Sequence, residues 1–122
     1  LALLDAAIER HARAAGIDVE RPFPFVLTGE FEQLSFHVID GRRLVGGGRS
    51  HADHLRAAVV ESVARGQATL VGFFSKHHEG VFTHFGSFIH LHCVLEDPLR
   101  TGHVDAVVVP AGVRLALPRT HR

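Results

Sequence analysis

The chain has 122 residues, 13 basic against 13 acidic side chains and no net formal charge, so it carries no electrostatic footprint for nucleic acid. Hydrophobic residues make up 46%, enough for the core of one domain over residues 1–122, while no apolar run reaches the roughly 18 residues of a membrane span. A single cysteine, Cys93, forbids an internal disulfide and does not reveal the compartment; a cytoplasmic setting is the expectation. Eleven histidines, with nine phenylalanines and no Trp, Tyr or Met, point to metal binding or acid–base chemistry.

In chain order, Leu1 to Gly16 reads as a helix. Leu3, Leu4, Ala7, Ile8, His11, Ala12 and Ala15 recur near a 3.6 period, and Gly16 suits its C-terminal cap. Pro22 and Pro24 make Ile17 to Pro24 a connector. Phe25 to Phe31 reads as a strand with a break at Gly29. Phe31 to Ile39 continues it, with Phe31, Gln33, Ser35 and His37 assigned to one face by simple alternation. Asp40-Gly41 is a hairpin turn and Arg42 to Val45 the return strand. Gly46-Gly47-Gly48 lacks the Lys-Ser/Thr of a phosphate loop.

Ser50 to Arg65 reads as a second helix, capped by Ser50 with Asp53 behind it, its stripe formed by Leu55, Ala58, Val59, Ser62 and Val63. Ala68 to Phe74 is an apolar run of strand length. Val81 to Phe85 is a short strand, Ile89 to Leu95 and His103 to Val109 form a hairpin, and Val113 to Leu117 is a last strand. Strands without regular helical crossovers predict an α+β fold: a curled, mainly antiparallel sheet or partly closed barrel with two helices.

The chemistry concentrates at residues 88–104. His90 and His92 are two apart, so a strand points both to one face. Asp97-Pro98 and Gly102 supply turn chemistry between them and His103. A turn centred between Asp97 and Pro98 sets His92 opposite His103, with Cβ atoms roughly 4.5–5.5 Å apart. Three imidazoles and an open position form a recurring catalytic zinc site, though imidazole also suits other divalent transition metals. His84, six residues before His90, is a candidate fourth ligand or substrate-facing acid. Cys93 points to the opposite face and reads as core. His51 and His54 read as surface or capping residues, and His77 and His78 as solvated. Arg100, in the turn, reads as solvated in preference to pairing with a substrate carboxylate.

These residues resemble a family. Val71-Gly-Phe-Phe-Ser75, Glu79-Gly-Val81, His90-Leu-His92 and Thr101-Gly-His103-Val104 are similar to the C-terminal part of bacterial alpha-acetolactate decarboxylases. Pro22-Phe-Pro-Phe25 and Thr28-Gly-Glu-Phe31 resemble the stretch that opens that region. The resemblance covers about residues 22–109. It implies a zinc-dependent lyase that converts a 2-hydroxy-3-keto acid such as acetolactate to acetoin, with His90, His92 and His103 as metal ligands. His37 matches the position of the family's substrate-binding arginine; together with His84, the candidate substrate-facing acid, it is a candidate catalytic residue. The family's N-terminal half supplies a catalytic glutamate with no counterpart here. The plant and prokaryote conserved domain, with a similar His-x-His and Gly-His arrangement, implies the alternative of a metal-stabilised binding or oligomerisation module. The expected partners are a small keto or hydroxy acid and further copies of the chain, without nucleic acid or membrane.

Overall fold

In the computed structural model, the described residues are 2–39, 58–77, 87–96 and 98–119. They form one helix, α1 (Ala2–Ala14), and five strands: β1 (Phe23–Ile39), β2 (Ala58–Phe74), β3 (Ile89–Leu95), β4 (Arg100–Val108) and β5 (Arg114–Ala116). None of the described helices is long and apolar enough to cross a membrane. The expected return strand at Arg42 to Val45 and the expected strand at Val81 to Phe85 lie outside the described residues.

The sheet is antiparallel and closes on itself. Its order is β2-β3-β4-β1-β5, with β2 also paired to β1, so β1 to β4 make a ring. The two 17-residue strands form its long ribbon, from Phe23↔Phe74 to Ile39↔Ala58. The β3–β4 hairpin bridges the remaining gap, with β3 on the C-terminal half of β2 and β4 on the C-terminal half of β1. Closure is uneven: among the described residues the first half of β2 pairs with β1 alone, while the second half lies between β1 and β3.

The inner face is apolar. Phe25, Leu27, Phe31, Leu34, Phe36, Leu70, Phe74, Ile89, Leu91, Cys93 and Val104 are all buried in one cluster with Ile8 and Ala12 of α1. The predicted cap of α1 is present. Gly16 has φ +82°, its N–H bonds to the Arg13 carbonyl, and the Ile17 N–H bonds back to the Ala12 carbonyl at 3.0 Å. Asp5 ties the helix to the sheet, accepting from Ser87 Oγ at 3.0 Å and from the Phe88 N–H at 2.8 Å.

Two sequence expectations are corrected. Residues 58–65, read as the end of a second helix, belong to β2, and the described residues hold one helix. Spacing alone allowed both readings of Ala58, Val59, Ser62 and Val63, and pairing along the whole of β1 decides for strand. The alternation in β1 also does not run straight through. Phe23, Phe25, Leu27 and Phe31 face inward, but beyond Gln33 the inward residues are Leu34 and Phe36. Gln33 has φ 49°, the left-handed region, and there the strand changes face. Opposite it β2 makes the same change, from Gly66 beside Phe31 to Val63 beside Leu34. His37 therefore points outward and does not share a face with Phe31.

Candidate metal centre

The hairpin register is the one its turn chemistry predicts. His92 pairs with His103, Cys93 with Gly102, Val94 with Thr101 and Leu95 with Arg100. Leu91, Cys93, Gly102 and Val104 are buried, so strand alternation turns His90, His92 and His103 outward.

Close packing of the inner face fixes that orientation. A Cβ on Gly102 would lie 2.6 Å from Phe36 Cδ2 and 2.8 Å from the His37 carbonyl oxygen. A Cβ on Gly72 would lie 2.6 Å from Phe25 Cζ and 2.9 Å from the His90 carbonyl oxygen. Both positions need glycine because another backbone comes close, and both adjoin the strands that carry the cluster.

Each of the three histidines offers a ring nitrogen, and these nitrogens all lie within 4.8 Å of one another. His90 Nε2 and His92 Nε2 are 2.9 Å apart, so one donates and the other accepts, according to tautomer. Ring centroids are 4.9 Å apart for His90–His92, 5.1 Å for His90–His103 and 4.1 Å for His92–His103. A tetrahedral zinc, with Zn–N near 2.0–2.1 Å, needs its nitrogens about 3.4 Å apart, between the 2.9 Å of His90–His92 and the 4.8 Å that bounds the whole set. The donor set fits a divalent transition metal.

His37 lies beside the cluster, paired with His103 across β1 and β4. Its ring stacks on that of His103, with centroids 5.3 Å apart and planes 17° from parallel. Its Nδ1 is 2.9 Å from Asp105 Oδ1 and 3.0 Å from Oδ2. The carboxylate only accepts, so Nδ1 is the donor. Asp105 escaped the sequence reading because no spacing motif marks it; its place next to His37 comes from a local bulge.

The outer face around the cluster is two-sided. Towards β2, Phe73 pairs with His90 and Val71 with His92, and these two apolar side chains are 53% and 43% exposed. Towards β1 lie His37 and Asp105. His84, His51, His54 and His78 lie outside the described residues. His77 sits elsewhere on the surface, 2.9 Å from Glu20 Oε2. Arg100 faces Glu61, its Nη1 3.6 Å from Oε2, and is not part of the cluster. Cys93 is fully buried on the inner face, and burial pushes its thiol pKa up.

Comparison with known proteins places this geometry in a fold. No family model matches the chain, and no curated protein matches it. Among solved structures it is similar to the X-ray crystal structure of alpha-acetolactate decarboxylase from Bacillus subtilis strain 168, with a TM-score of 0.62 at 16% sequence identity. The match covers 91% of this chain and 46% of that one, so the chain spans less than half the length of that protein. At this identity the likeness establishes a distant relationship of fold.

Proposed function

We propose that His90, His92 and His103 hold a divalent transition metal, zinc in the first instance, and that the protein is a lyase that decarboxylates a small 2-hydroxy-3-keto acid such as acetolactate. The observation that carries this reading is the convergence of three ring nitrogens within 4.8 Å on the outer face of a sheet that has the fold of an acetolactate decarboxylase. When bound, such a metal polarises substrate oxygens and stabilises the negative charge that a departing carbon dioxide leaves behind.

The chain's own groups have separate tasks. The three histidines share one face because strand alternation and the hairpin register put them there. Val71 and Phe73 offer an apolar flank for the alkyl part of a small substrate. Loss of carbon dioxide breaks a carbon–carbon bond, leaves the electron pair on the substrate and requires a proton in its place. His37, held by Asp105 and stacked on His103, is the described group next to the cluster that can hold or move that proton.

Purified protein loaded with zinc, given acetolactate and assayed for acetoin, tests the reaction. The reading expects acetoin, and much less of it from His37→Ala with zinc still bound. Full zinc loading without product would remove acetolactate as the substrate.

One observation favours a second reading, a metal-stabilised binding or self-association module. Val60, paired with His37 and 64% exposed, joins Val71 and Phe73 in flanking the cluster with apolar surface. Sedimentation with and without zinc separates the two. Zinc-dependent self-association without turnover supports the module, and turnover by a monomer supports the lyase.

A further inference from the structure

Two irregularities in the β1–β4 ladder cancel each other, and between them they create a feature that metal ligation alone does not require. The strands pair Glu32 with Val108, then Ser35 with Ala106, then Phe36 with Val104 and His37 with His103. Between the first two pairs β1 advances one residue more than β4, at Gln33 with its φ of 49°. Between the next two β4 advances one more than β1, and the extra residue is Asp105. Regular pairing in the register of His37 and His103 would set Asp105 opposite Ser35. In the bulge it leaves the ladder, both Asp105 and Ala106 are exposed, and the carboxylate reaches His37.

The consequence is a fixed tautomer. With both carboxylate oxygens within 3.0 Å, Nδ1 carries the hydrogen. When the ring is neutral, its bare nitrogen is Nε2, across the ring from Asp105. Stacking on His103 holds the plane of that ring. The result is a hydrogen-bond acceptor in a set orientation beside the three-histidine cluster, with a negative charge behind it.

We propose that Asp105 is a positioning residue that holds His37 as a hydrogen-bond acceptor, and that this acceptor takes the hydroxyl of a small hydroxy-carbonyl ligand. A hydroxyl has a proton to give. A carboxylate has only acceptor oxygens and is repelled by Asp105, so it is directed away from this flank. The inference rests on the metal reading for where the ligand sits, but the tautomer of His37 does not.

Two measurements test it. Long-range proton–nitrogen NMR reads the His37 tautomer with and without zinc. The expected result is hydrogen on Nδ1 in the wild type, lost in Asp105→Ala and regained in Asp105→Glu. Titration of zinc-loaded protein then compares acetoin with 2-butanone, which lacks the hydroxyl. The preference for acetoin should fall about tenfold in Asp105→Ala with zinc content unchanged, a loss equal to one ordinary hydrogen bond, and return in Asp105→Glu. Hydrogen on Nε2 in the wild type, or an unchanged preference in Asp105→Ala, overturns the proposal. Failure to bind zinc at all would instead remove the metal reading, and the NMR result would still decide the role of Asp105.

Discussion

At the scale of single residues, neighbours along one strand have opposite tasks. His92 is exposed on the outer face and Cys93 is fully buried behind it. Removing one imidazole from a three-nitrogen set leaves two ligands, so His92→Ala should lower zinc affinity by at least about 100-fold, measured by competition with a chromogenic chelator. The Cys93 thiol should resist iodoacetamide in native protein at neutral pH and react once the chain is unfolded. Its pKa is raised above the ordinary 9.0, so the folded state keeps the proton longer than the unfolded state. That contribution to stability is complete below about pH 9 and is lost as the pH rises through the folded value. Gln33 is the third informative residue. A β-branched side chain is strained in the left-handed region, so Gln33→Val should cost about 1–2 kcal/mol in denaturant unfolding, whereas Gln33→Gly should be tolerated. Gln33 also marks where the sequence stops being legible. Simple alternation places His90, His92 and Cys93 correctly, because β3 is regular. It misassigns His37 relative to Phe31 and passes over Asp105, because nothing in the residue types announces that β1 changes face at Gln33 or that β4 bulges at Asp105.

At the scale of elements, the hairpin and the second half of β2, Ala68 to Phe74, were readable, and the first half of β2 was not. The residues between β3 and β4 carry the turn signal Asp97-Pro98, which centres the register of His92 on His103, whereas Gly102, also read as turn chemistry, lies inside β4 opposite Cys93. Helix α1 was readable too, since its apolar period and Gly16 are local signals. The first half of β2 has Ala, Val and Ser at spacings that fit either period, and a long-range partner, β1, resolves it. Packing between elements yields a sharp test at Gly102. A methyl group there would push on Phe36 and on the His37 carbonyl, so Gly102→Ala should destabilise the fold by about 1–3 kcal/mol. Because Gly102 adjoins the ligand His103 in β4, the displacement should also weaken zinc binding, whereas an exposed change such as Thr101→Ala should alter neither. Equal stability of Gly102→Ala and wild type in urea would contradict the close approach.

At the scale of the whole molecule, a ring of four strands presents a polar cluster on its outside and keeps Phe25, Phe31, Phe36 and Phe74 within. The predicted curled antiparallel sheet is the observed architecture, and its likeness to an acetolactate decarboxylase extends over 91% of the chain. The three ligands lie on the β3–β4 hairpin, so a metal bound there pins that hairpin in its folded register. Free zinc at about 100 times its dissociation constant should therefore stabilise the fold by about 2.7 kcal/mol, visible as a rise in Tm that His92→Ala abolishes. The most direct test of the central claim is zinc content together with X-ray absorption at the zinc edge, on the wild type and on His92→Ala. One zinc per chain with three imidazole nitrogens, lost in the variant, is the predicted result. No bound zinc, or zinc held equally well by His92→Ala, would contradict it.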